Sequence, residues 1–135
     1  RNNKKKLSIF LKKRKLLLKK KKNINFYKLN SLHLSLETNK KYDLIWIDGA
    51  HDNPFVAIDL SNSLRLINKN GLIMNDDIIF DARNYDQYYS KASISALQCF
   101  QDAKLLDFKL IYKRLSKKNN SIPNLRKYVA IVKKI

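Results

Sequence analysis

The chain has 135 residues, 44% of them hydrophobic, and a formal net charge of +18. That length gives one domain at most, large enough to bury a single core; it need not be a whole domain, and because the first residue is Arg1 the natural amino terminus is expected to be missing or processed. The single Cys99 excludes an internal disulfide, no Cys/His spacing fits a zinc site, and no apolar run approaches the roughly 18 residues of a membrane span. A soluble protein in a reducing, cytoplasmic setting is the expectation. The charge first suggests nucleic acid, but it is unevenly spread. Residues 1–22 hold twelve basic residues and no acidic one, leaving seventeen basic against eleven acidic in the rest. Lys, Asn, Ile and Leu abound while Gly and Pro occur twice each, so the excess reads either as a coding preference for A and T or as a functional basic patch.

In chain order, residues 1–22 form a basic leader in which Leu7, Phe10, Leu11 and Leu18 fall near helical spacing. The expectation is an amphipathic helix laying one apolar stripe on the domain; contact with nucleic acid or an anionic membrane, and disorder, are the alternatives. Residues 25–29 (NFYKL) suit a short strand, with Asn30 and Ser31 placed to cap a helix over 32–37. After the polar break at Asn39, Lys40 and Lys41, residues 43–47 (DLIWI) are a run too short for a helix and of the kind buried on both faces of a parallel sheet.

The spacing of Val56, Ile58, Leu60, Leu64, Leu66 and Ile67 predicts a helix over 54–67, with Pro54 in its first turn, Asp52 or Asn53 as cap, and Gly71 of the NKNG segment after its end. Residues 72–74 and 78–80 then flank Asn75, Asp76 and Asp77 as a buried strand running into a polar tip. Strand, helix and strand make a right-handed βαβ unit with parallel strands, which gives the class as α/β. A loop over 81–91, a helix over 92–106, and strands over 108–114 and 128–133 joined by a turn at 119–124 complete the chain. The last two strands are expected to pair antiparallel at one sheet edge.

Ligands of open α/β sheets bind outside the carboxyl ends of the strands. That rule selects Asp48, Gly49 and His51 after the first strand of the unit, and Asp76 with Asp77 after the second. Three carboxylates and an imidazole in one crevice raise one another's pKa unless something compensates them. Either a hard divalent cation does so, with Mg²⁺ taking one or two carboxylates plus waters and substrate oxygens, or the groups are structural, with Asp76 and Asp77 capping the loop and His51 bonded to backbone.

The stretch YDLIWIDGAHDNPFVAIDLSNSLRLINKNGLIMNDDII resembles the central segment of class I S-adenosylmethionine-dependent methyltransferases, particularly small-molecule O-methyltransferases related to macrocin O-methyltransferase. Asp48, Gly49 and His51 match that family's Asp-Gly-x-His turn, Asp59-Leu60 its helical Asp-Leu pair, Gly71 the glycine before its next strand, and Asp76-Asp77 its terminal acidic pair. The resemblance implies a Rossmann-like methyltransferase sheet, mostly parallel with an antiparallel terminal strand pair. Residues 23–135 would be the carboxyl-terminal half of that domain, truncated at the amino end. It implies Asp48, Asp76 and Asp77 as ligands of Mg²⁺ in metal-dependent members, and Asn30, Ser31, Asp48 and Gly49 as contacts of S-adenosylmethionine.

Some relatives carry a second acid, used as base, where this chain has Ala50, so His51 becomes the candidate base, with Asp48 beside it. A further departure is that residues 1–25 contain no glycine. The glycine-rich turn that cradles the cofactor's methionine end is therefore missing, diverged or on another chain. The activity implied is methyl transfer to a hydroxyl of a small molecule; the other reading is an inactive or fragmentary module that binds nucleic acid through its basic leader.

Overall fold

The computed structural model describes residues 2–21, 23–80, 90–115 and 126–135. Its elements are α1 (Asn2–Lys20), a 3₁₀ turn (Ser31–His33), α2 (Leu34–Glu37), β1 (Tyr42–Ile47), α3 (Phe55–Leu66), β2 (Ile67–Ile79), α4 (Ala92–Asp102), β3 (Leu106–Leu115) and β4 (Arg126–Lys134). The four strands form one sheet in the order β1-β2-β4-β3. β1 and β2 are parallel and joined through α3, whereas β4 runs antiparallel to both β2 and β3. The βαβ unit and the antiparallel closing pair are therefore both present. The turn expected at 119–124, and most of the loop expected at 81–91, lie outside the described residues.

Register explains where the core lies. Ile45, Ile73, Val132 and Phe108 form one cross-strand row, and Ile47, Asn75, Ala130 and Leu110 the next but one residue along. Side chains two apart share a face, so both rows face the same way. Against that face pack Val56, Leu60 and Leu64 of α3 and Ile94, Ala96 and Leu97 of α4, in one cluster with Ile73, Ile78, Leu106 and Val132. The opposite face is apolar too, but Leu44, Trp46 and Ile111 on it are 57%, 50% and 50% exposed.

Several expectations from sequence are corrected. Residues 24–30 have no regular structure; Phe26, expected in a strand, instead lies under the guanidinium of Arg14, 4.3 Å from its ring centroid. The leader is helical, and of the expected apolar stripe Phe10 and Leu11 stay 61% and 41% exposed while Leu18 is half-buried, so these residues do not seal onto the domain. Among the described residues no helix is long and apolar enough to cross a membrane. α3 has no side-chain cap from Asp52 or Asn53; its first turn is entered through backbone, with the Val56 amide donating to the Asp52 carbonyl at 3.1 Å.

α4 stops at Asp102, short of the expected 106, because Lys104 takes the left-handed conformation (φ 57°) that usually falls to glycine. The Leu105 amide then donates to the Phe100 carbonyl and the Lys104 amide to that of Gln101, which closes the helix and releases the chain into β3.

Gly71 is the most informative correction. It does not end α3, which stops at Leu66; it lies inside β2. A Cβ there would come within 2.7 Å of Ile67 Cγ1 and 3.0 Å of the Asp43 carbonyl oxygen. The glycine thus lets β1 and the start of β2 approach closely. Gly71→Val is expected to lower stability by about 1–3 kcal/mol through overpacking, read as a lower thermal unfolding midpoint by circular dichroism; an unchanged midpoint would show that the contact relaxes freely.

Candidate active site

The parallel pairing of β1 with β2 ends at Ile47 opposite Asn75. Asp48 therefore leaves β1 at the level where Asp76 follows in β2, and the carboxyl ends of two neighbouring strands carry the acidic groups. Within that arrangement the groups separate into two sets. Asp48 is exposed (58% of its side chain) and its partner is His51, whose Nε2 lies 4.0 Å from Oδ1 while the ring is 23% exposed. Gly49 has no left-handed torsion. A Cβ on it would meet Asp59 Oδ2 at 3.0 Å, so the glycine leaves room for a carboxylate rising from α3 beneath the Asp48 turn.

Asp76 and Asp77 do not form a polar tip after β2; they are a bulge within it. Asn75 pairs with Ala130 and Ile78 with Tyr128, so β2 takes one residue more than β4 over this step, the signature of a β-bulge. The extra residue keeps Asn75 and Ile78, both 0% exposed, on the helix-covered face despite their odd spacing. It also places Asp77 at φ 52°, and the Asp77 amide donates to Asp76 Oδ1 at 2.7 Å. β3 repeats the device: Tyr112 pairs with Tyr128 and Arg114 with Lys127, leaving Lys113 as its extra residue.

The two bulges flank β4 at one level and bring lysines to the acidic pair. Lys113 Nζ donates to both Asp76 oxygens at 2.6 Å and to Asp77 Oδ1 at 3.2 Å. Lys127 Nζ donates to Asp77 Oδ2. Asp76 is 8% exposed and Lys127 12%. Burial pushes the Asp77 carboxyl up, but hydrogen bonds and charge from Lys127 and Lys113 outweigh it and hold the group below the ordinary carboxylate value. The Asp76 hydrogen bond, opposed by burial and reinforced by Asp77, raises Lys113 above the ordinary lysine value. Lys113 is therefore a fixed cation and not a base.

These contacts bear on the expected Mg²⁺ ligands. Asp48 stands apart beside His51 while Asp76 and Asp77 are neutralised by lysines, and among the described residues no group of three His, Cys, Asp or Glu is disposed to hold a metal. The donor set does not fit a divalent cation. Lys113 and Lys127 escaped sequence reading because, in a chain so rich in lysine, neither position stands out.

Asn30 and Ser31 are placed differently from Asp48. The Asn30 side chain accepts from the Leu32 amide at 3.0 Å, as the expected cap, and the Ser31 carbonyl accepts from Asn62 Nδ2 of α3 at 2.8 Å. Ser31 lines a cavity of about 600 Å³ with Phe26, Tyr27, Leu34 and Tyr42. That cavity opens at the first residue of β1, whereas Asp48 follows its last.

With this geometry established, comparison with known proteins is informative. The family described as a methyltransferase domain matches residues 10–78, just over half of the chain. No curated protein matches. Among solved structures the chain is similar to cofactor-bound Rv0187 from MTB (TM-score 0.52, 18% identity, 73% of this chain and 43% of that one). It is also similar to precorrin 8w decarboxylase from Methanobacterium thermoautotrophicum (TM-score 0.51, 10% identity, 85% and 57%). A third is the O-methyltransferase from Bacillus cereus in complex with SAH (TM-score 0.49, 14% identity, 77% and 46%). At such identities the first two show a shared fold, the Rossmann-like sheet expected from sequence, and the chain spans about half the length of these structures.

Proposed function

Because the chain belongs to the methyltransferase domain family, we propose that it supplies the acceptor side of an S-adenosylmethionine-dependent transfer of a methyl group to a hydroxyl of a small molecule. The observation that carries this reading is the pair Asp48 and His51 at the carboxyl end of β1, with a half-open imidazole 4.0 Å from a carboxylate. S-adenosylmethionine, when bound, would supply the methyl group from its sulfonium to the acceptor oxygen, and His51 would take the proton that the acceptor hydroxyl gives up. The products are the methyl ether and S-adenosylhomocysteine. Asp48 lies 4.0 Å from the imidazole, the place of a carboxylate beside a general base. Gly49 leaves room for the Asp59 carboxylate beside that turn. Asp48 and Gly49 are the proposed cofactor contacts at this end of β1, with Asn30 and Ser31 proposed for the part of the cofactor that reaches the cavity at the strand's other end. The chain's own contribution is alignment and proton removal.

Isothermal titration of the full-length gene product with S-adenosylhomocysteine tests this. Saturable heat with a raised unfolding temperature is expected; no heat and no protection against unfolding would remove the methyl-transfer reading.

A further inference from the structure

All four oxygens of the acidic pair on β2 are engaged by protein groups: both of Asp76 and one of Asp77 by Lys113, and the other of Asp77 by Lys127. A single Nζ with three carboxylate oxygens within 3.2 Å stands as a bound cation would. We propose that Lys113 is a cation built into the chain at this crevice, with Lys127 as its second charge, so that the Asp76–Asp77 site takes up no divalent metal.

Three features support this. Magnesium and calcium approach carboxylate oxygens to about 2.0–2.6 Å, a position that overlaps the Lys113 ammonium. Two carboxylates and two ammonium groups already sum to neutrality, so an added divalent ion would leave excess positive charge among side chains only 8% to 31% exposed. The placement is also built by the backbone: the bulges in β2 and β3 lie at one level across β4, and Lys113 reaches over β4 to a strand that is not its neighbour. The inference deepens the methyl-transfer reading by leaving proton removal to His51 alone, but its test does not depend on turnover.

The test is uptake of Mn²⁺ by the whole chain, followed by electron paramagnetic resonance. The wild-type protein is expected to take up none at this site up to about 1 mM free ion. Uptake with a dissociation constant below about 1 mM that disappears in Asp76→Asn would overturn the proposal; uptake unaffected by Asp76→Asn is binding elsewhere and leaves the site closed as proposed. In Lys113→Met both Asp76 oxygens and one Asp77 oxygen lose the ammonium while Lys127 keeps the other, and Mn²⁺ should bind at least about tenfold more tightly than to wild type and raise the unfolding temperature. A folded Lys113→Met protein with no uptake would also overturn it, and the wild-type arm stands whether or not that variant folds. Binding of S-adenosylhomocysteine by a protein that also takes up Mn²⁺ at Asp76 would sink this inference and spare the methyl-transfer reading.

Discussion

Lys113→Met is expected to lower the free energy of unfolding by about 2–4 kcal/mol, somewhat below the full cost of orphaning a buried charge because the lysine is itself partly exposed. The loss arises on the partner. Asp76 is 8% exposed, and both of its oxygens are held by Lys113; without the ammonium, Oδ1 keeps the Asp77 amide and Oδ2 has no partner. Urea unfolding of the two proteins measures the difference, and a change below about 0.5 kcal/mol would mean that water replaces the ammonium freely.

The same network sets the pH dependence. Asp77 has a lowered pKa in the folded state, so its contribution is present above the unfolded carboxylate value and is lost as pH falls below about 4. Lys113 has a raised one, so its contribution is complete below the unfolded lysine value and is lost as pH rises above about 10.4. Wild-type stability from this cluster is thus level between those limits. The alkaline limb should flatten in Lys113→Met.

The second large effect concerns turnover. In a full-length protein that methylates its acceptor, His51→Ala is expected to reduce kcat by about 10²–10⁴-fold, the usual contribution of a positioned general base. Cofactor affinity should stay within about threefold, since the ring faces Asp48 at the mouth of the crevice and the proton it takes belongs to the acceptor. Asp48→Asn keeps the shape of the turn and removes the carboxylate 4.0 Å from the ring, so a smaller loss of kcat should accompany it. If His51→Ala retains full kcat, the base lies elsewhere and the Asp48–His51 pair is structural.

The sequence makes the β1-α3-β2 unit legible because its signals are local. Residues 43–47 are too short for a helix and apolar enough for a strand, but the burial expected on both faces is not met, because β1 is an edge strand whose Leu44 and Trp46 are 57% and 50% exposed. The 3.6-residue period over Val56, Leu60 and Leu64 needs no partner to be read. Asp48 just after β1 follows from topology, whereas Asp76 and Asp77, expected at the end of β2, lie within it. What escaped is relational. Gly71 looks like a helix terminator until β1 is seen pressing against it. The bulges at Asp76–Asp77 and at Lys113 exist only in the register of β4 with its two neighbours, which no local propensity encodes. The run 25–29 has the composition of a strand, but strand propensity is a fitness for a pleated neighbour, and here Phe26 meets Arg14 of α1.

The sheet's two outer strands are defended unequally. β3 carries Asp107 and Lys109, charges that discourage a further strand from adding. β1 presents Tyr42, Leu44 and Trp46, 42% to 57% exposed, and its one charged residue, Asp43, is tied to Asn68. Self-association of the isolated chain would therefore have one direction available. Among the described residues, two copies meeting β1 to β1 across a dyad would pair both of these edges and leave β3 at either end, a closed pair.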